Sequence, residues 1–183
     1  MPGPHDAFGL IEVHYRHAFG AGILPTYRHY RAVGAPSAAL GYTRAGDRVE
    51  PLFLERYLDA PAEVVAAARL GRPVVRAGIV EIGHFATRTP MAMIELWEDV
   101  ARTLAPNAEI AMATLTAPLR QAMGRAGVRF EVLAPATADR AGETGQHWGR
   151  YYEFDPMVCM GDIAEGLAAI ARLQGRRPAR RAA

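Results

Sequence analysis

The run Ile79–Ala86, Ile-Val-Glu-Ile-Gly-His-Phe-Ala, limits what this chain can fold into more than any other segment. Ile79, Val80, Ile82 and Phe85 favour a core strand, and the turn-prone Thr87-Arg88-Thr89-Pro90 closes it. The longest helical pattern follows at once, Met91 to Leu104, with Ile94, Trp97, Val100 and Leu104 on one face. Thr89 suits its N-cap and Pro90 its first turn. Three residues break the strand pattern. A carboxylate such as Glu81 is costly in a buried strand unless it is paired. Gly83 removes packing and marks a bulge or a close approach to the backbone. His84 adds a titratable ring. Sequences break local rules where function demands it, so this strand is expected to line a site.

The remaining elements fall around it. A first helix is expected over Ala7–Ala21, then strands over Tyr27–Val33 and Ser37–Arg44. Asp59 reads as the N-cap of a helix from Ala62 to Leu70 that stops at Gly71. Beyond the long helix come a strand at Glu109–Thr114, a helix at Ala117–Ala126, a strand at Phe130–Leu133, a polar loop at Ala136–Gln146, a strand at Val158–Met160 and a last helix at Ile163–Leu173. The expectation is one domain over residues 7–173 and a disordered basic tail over 174–183.

Composition removes several functions. The net charge is only +2, so no nucleic-acid partner is expected. No apolar run is long enough to span a bilayer, and Met1–Asp6 lacks the basic and apolar regions of a signal peptide. The single cysteine, Cys159, fits a reducing, cytoplasmic setting and a buried structural role. All 21 basic side chains are arginine, which excludes a lysine Schiff base or lysine base. The six histidines show no metal-binding spacing, and no metal site is expected.

Three blocks, Leu52–Asp59, Glu81–Ala86 and Trp148–Glu153 running on to Gly161, together resemble the bacterial thermostable hemolysin family, over roughly residues 10 to 163. That family's strand motif usually reads Glu-Ile-Gly-Asn, and here His84 takes the last place. The order of elements resembles the GNAT-type acyltransferase sheet, and acyl-homoserine lactone synthases in particular. The resemblance implies an α/β fold, a single-domain GNAT-like mixed β-sheet flanked by helices. It implies transfer of an acyl group from acyl-CoA or acyl carrier protein to a small-molecule amine or amino-acid-type acceptor, without a permanently bound cofactor. A homodimer is a further possibility. The family name implies a membrane-active lytic protein instead, and a non-catalytic thioester- or lipid-binding module is a third reading.

On the acyl-transfer reading Glu81 is a base or a substrate orienter, or else a structural carboxylate paired with an arginine. His84 is a base, a hydrogen-bond donor or a satisfied core histidine. Strand alternation puts Glu81 and Gly83 on one face and His84 on the other, unless a bulge at Gly83 intervenes. Alternation also puts Glu55, Tyr57 and Asp59 on one face of an extended segment, where the carboxylates would hold a cationic amine. Trp148, Tyr151 and Tyr152 suit a pocket wall, with Tyr151 or Tyr152 as acid for a leaving thiolate. Met91, Met93 and Met112 offer an acyl surface or ordinary core. The GNAT glycine-rich pyrophosphate loop is replaced by Thr87-Arg88-Thr89-Pro90-Met91-Ala92. There Arg88 and the helix N-terminus would hold a phosphate, and a carrier other than acetyl-CoA fits better.

Overall fold

The computed structural model describes residues 4–47 and 49–175. Six strands, β1 (His29–Val33), β2 (Ala38–Arg44), β3 (Ile79–Thr87), β4 (Ile110–Leu115), β5 (Glu131–Pro135) and β6 (Met157–Asp162), form one sheet in the order β1-β2-β3-β4-β6-β5. Within it β3 and β4 pair in parallel, and the other neighbouring strands pair antiparallel. The helices are α1 (Pro4–Phe19), α2 (Ala62–Leu70), α3 (Pro90–Leu104), α4 (Ala117–Arg125), the short α5 (Ala138–Ala141) and α6 (Ile163–Gly175). This is the expected mixed sheet flanked by helices.

The long helix forms as its sequence dictates. The Thr89 hydroxyl accepts the Ala92 N–H at 3.2 Å and Pro90 opens the first turn. Its apolar stripe, Met93, Leu96, Trp97, Val100 and Leu104, is buried with α6 against Leu40, Val80 and Phe85 of the sheet. The opposite face is covered in two parts. At one end α1 packs Ile11 and Tyr15 near Ala39 and Ala86. At the other, α2 and a 3-10 turn over Phe53–Tyr57 pack on Ile79, Ile110, Met112 and Val158.

Three expectations are corrected. Asp59 does not cap α2. The N-cap position is Pro61, which lacks a side-chain cap, and the Ala62 N–H is taken by a Glu55 carboxylate oxygen at 2.7 Å. The segment carrying Glu55, Tyr57 and Asp59 is a 3-10 turn and its exit rather than extended chain, so the three do not share a face. The polar segment expected as a loop contains α5 and a 3-10 turn over Gly142–Trp148. Nearly all of the basic tail lies outside the described residues.

Gly41 and Gly83 are cross-strand partners. The Tyr27 ring lies over both. A Cβ at Gly83 would fall 2.0 Å from the Tyr27 hydroxyl oxygen, and one at Gly41 would fall 2.7 Å from the ring. Gly83→Ala is therefore expected to cost about 2 kcal/mol by overpacking. In urea unfolding the double variant Gly83→Ala with Tyr27→Ala should be no less stable than Tyr27→Ala alone. Additive losses would show that Tyr27 is not what the glycine accommodates.

Candidate functional site

β3 does not alternate through its length. Gly41 pairs with Gly83 and Ala39 with Ala86, so His84 and Phe85 together oppose Leu40 alone. This is a β-bulge, and His84 stands in the left-handed region with φ of 53°. The consequence is the one the alternation rule leaves open: Glu81 and His84 end on the same face, and Tyr27 touches both. The Tyr27 hydroxyl donates to Glu81 Oε1 at 3.4 Å, and its ring meets the His84 ring edge-on with centroids 4.8 Å apart. Asparagine and histidine are both enriched at left-handed positions. The bulge thus accounts for the residue type here without any need for proton chemistry.

Beyond the bulge β3 leaves its parallel neighbour. The two strands pair only from Ile79 with Ile110 to Ile82 with Ala113, although β3 continues to Thr87 and β4 to Leu115. A cleft of about 340 Å³ occupies the gap. Tyr15 and Phe19 of α1, Phe85, Thr114, Leu119 of α4 and Tyr151 line it. The Tyr151 hydroxyl donates to the Thr114 carbonyl at 3.2 Å. Thr114 Oγ1 is buried and has no partner among the described residues, a state that protein structures seldom leave unexplained. Arg120 fixes the cleft's outer rim: its guanidinium donates to the Leu115 and Asp155 carbonyls, each at 2.6 Å.

Glu81 is 2% exposed. It accepts the Phe53 N–H at 2.8 Å and the Leu54 N–H at 3.0 Å, besides the Tyr27 hydroxyl. The geometry shows Glu81 tying the Phe53–Tyr57 turn and Tyr27 to the strand. His84 is likewise 2% exposed, and burial pushes its pKa down to about 3. Its Nδ1 lies 3.4 Å from the Tyr30 hydroxyl. That hydroxyl oxygen also accepts the Tyr27 N–H at 3.3 Å. Nε2 has no partner among the described residues. His84 is thus neutral at ordinary pH.

The other expected site residues divide. Trp148 joins the cluster, with ring centroids 5.8 Å from His84, 5.9 Å from Tyr15 and 5.0 Å from Tyr151. Tyr151 lines the cleft, whereas the Tyr152 hydroxyl is bonded to that of Tyr57 at 2.8 Å. Burial raises the pKa of Tyr15, Tyr57, Tyr151 and Tyr152 alike, so all four hold their protons at neutral pH. Glu55 and Asp59 line a separate groove that shares no residue with the cleft. Glu55 is paired with Arg76 at 2.7 Å, which also bridges to Glu63, and the exposed Asp59 is paired with Arg140 at 2.8 Å. Arg88 is exposed on the β3–α3 turn. Of the methionines, Met93 lines the cleft and Met112 is buried on the opposite face of the sheet. Cys159 is buried, and burial pushes its thiol up to about 12, far from a nucleophile. Sequence reasoning missed Tyr15, Tyr27 and Thr114. The facing glycines Gly41 and Gly83 were the available signal for Tyr27; the other two carry none.

With this geometry in hand, the chain's relationships can be placed. Residues 3–167 match the thermostable hemolysin family. The chain belongs to that family. Solved structures resemble it throughout. FeeM, an N-acyl amino acid synthase from uncultured soil microbes, is 11% identical with a TM-score of 0.60, over 90% of this chain and 93% of that one. TofI in an apo form is 17% identical with a TM-score of 0.58, over 93% and 91%. MesI, a CoA-dependent acyl-homoserine lactone synthase, is 13% identical with a TM-score of 0.57, over 92% and 87%. At these identities the likeness establishes the GNAT-like fold. No curated protein matches the chain.

Two outcomes check the electrostatics. Burial alone would raise the Glu55 carboxyl, but Arg76 and the Ala62 and Leu52 N–H groups outweigh it and hold the pKa below the ordinary 4.5. A depressed carboxyl stabilises the fold above its unfolded pKa. Glu55→Gln should therefore cost about 2 kcal/mol at pH 7, and that gap should shrink as the pH falls below 4.5. A gap independent of pH would refute the assignment. In NMR titration from pH 5 to 8 the His84 ring signals should stay fixed, and a midpoint inside that range would contradict its buried, neutral state.

Proposed function

We propose that this chain transfers an acyl group from a thioester to an amine. The observation that carries the reading is the apolar cleft opened where β3 parts from β4. It lies at the carboxyl ends of the parallel pair, where open α/β sheets bind ligands. Strand N–H and C=O groups released from pairing suit an extended, amide-bearing carrier arm, much as a sheet edge takes a peptide. Acyl-CoA and acyl carrier protein share such an arm. The CoA dependence of MesI supports the first, and the acceptor named for FeeM supports an amino-acid-type amine. We place the reaction in the cytoplasm, where such thioesters are made.

In this reading the amine nitrogen attacks the thioester carbon directly, the C–N bond forms, and the C–S bond breaks. The proton lost by the amine ends on the leaving sulfur, giving an amide and a free thiol. Tyr151 donates a hydrogen bond to the sulfur through a hydroxyl that turns from the Thr114 carbonyl. A phenol with a pKa well above that of a thiol stabilises the thiolate without surrendering its proton. Glu81 acts as a positioning residue that holds Tyr27 and the bulge in place.

The family's name points to lysis. Among the described residues no helix is long and apolar enough to cross a membrane. The deciding experiment measures thiol release from acyl-CoAs and acyl carrier proteins against an amine library, beside leakage of dye-loaded liposomes. Amine-dependent release is expected. Leakage without release would overturn the reading. Tyr151→Phe should lower kcat about 100-fold with a nearly unchanged Tm, while Tyr152→Phe, removing a hydroxyl already bonded to Tyr57, should stay within a few-fold of wild type.

A further inference from the structure

One proton transfer in acyl transfer to an amine still needs a group to carry it. A neutral amine that attacks the thioester carbon holds one proton too many once the C–N bond has formed. The nitrogen of that adduct is more acidic than a free ammonium, because its carbon bears electron-withdrawing oxygen and sulfur. A weak base is therefore enough to take the proton. Tyr15 and Tyr151 line the cleft but hold their own protons, and neither Glu81 nor His84 lines it.

Among the residues that line the cleft, His14 alone is a base of the required kind. It lies on α1 directly before Tyr15 and one turn before Ala18, and both of these line the cleft with it. Its ring meets the rings of Tyr15 and Phe19 edge-on, with centroids 6.0 and 6.4 Å apart. It is thus the imidazole that borders the aromatic wall. Tyr15 is buried whereas His14 is partly exposed, which puts His14 nearer the opening. No hydrogen bond or ion pair among the described residues occupies either ring nitrogen.

The surroundings leave that ring uncharged. No Asp, Glu or Arg side chain lines the cleft. On α1 the neighbouring Glu12 and Arg16 pair with each other at 2.7 Å, and His17 is exposed. At the rim Arg120 is bonded to Asp155. Burial lowers the His14 pKa from the ordinary 6.5, so at neutral pH the imidazole has a lone pair to offer.

We propose that His14 is a catalytic residue that takes the proton from the amine nitrogen of the tetrahedral adduct. This rests on the acyl-transfer reading above. The N–H bond breaks toward the imidazole, the C=O double bond re-forms, and the C–S bond breaks with its electron pair going to sulfur. The imidazolium then gives the proton to the thiolate. His14 begins the next turnover neutral, and no further reactant is consumed. Tyr151 keeps its own proton throughout.

The test follows thiol release against pH with two active acceptors whose ammonium pKa values differ. Wild-type kcat should fall as the pH drops through the His14 midpoint, which lies below 6.5. That limb should stay in place when the acceptor changes, and it should coincide with the His14 midpoint in an NMR titration. His14→Gln should lower kcat roughly 100-fold and lose the limb, with KM for the thioester and Tm nearly unchanged. Added imidazole should restore turnover to His14→Ala. His17→Gln, on the exposed side of the helix, should keep both the rate and the limb. Wild-type kcat in His14→Gln, or an acid limb that survives the substitution, would overturn the proposal and leave acyl transfer standing. A lowered Tm together with no rescue by imidazole would make His14 structural and likewise overturn it. No thiol release from any donor and acceptor would remove acyl transfer itself.

Discussion

The close approach of Tyr27 to Gly41 and Gly83 is the contact on which the rest of the site depends. Two facing glycines leave a trough across the sheet, and the Tyr27 ring fills it. Its hydroxyl reaches Glu81 and its ring edge meets His84. The strand bulges at the next step. A bulge bends its strand and increases local twist, which fits β3 parting from β4 just past Ile82 while its antiparallel pairing with β2 resumes at Ala86. The cleft is thus a property of the backbone. Side chains only line what the bulge has opened.

Once open, the gap is dressed almost wholly by aromatic and apolar groups. The Tyr15 ring stands about 6 Å from those of His84, Trp148 and Tyr151, and Trp148 within 6 Å of His84 and Tyr151, by ring centroids. In such surroundings charged forms are disfavoured. The tyrosines stay protonated, His84 stays neutral, and Glu81 accepts hydrogen bonds from two backbone N–H groups and a phenol. The ion pairs lie elsewhere. Arg76 gathers Glu55 and Glu63 beneath α2, and Arg140 meets Asp59 at the surface.

The order of elements was legible because it rests on local signals: the apolar stripe of α3, its Thr89 cap, and the interior strand ahead of it. Glu81, His84, Trp148 and Tyr151 were legible as candidates because each is an odd residue type in its setting. Which of them face one another was not. Alternation separates His84 from Glu81, and only the bulge reunites them. Glu55 and Asp59 misled for a related reason: a period-2 reading was applied to a segment that folds as a 3-10 turn. Tyr15 reaches the site through helix packing across 70 residues of chain from Phe85, a distance no local pattern records.

The same arrangement bears on how an amine would lose its proton without a strong base. Glu81 is occupied by donors, and His84 binds a proton only near pH 3. Desolvation itself does part of this work. An ammonium entering an apolar, unpaired cleft is destabilised relative to the free amine, as buried lysines show by their lowered pKa values. The neutral amine is the nucleophile that thioester attack requires. On the proposed reading, a cleft that favours the neutral amine needs donors for the carbonyl and sulfur more than it needs a base, and the Tyr151 hydroxyl that lines it is such a donor.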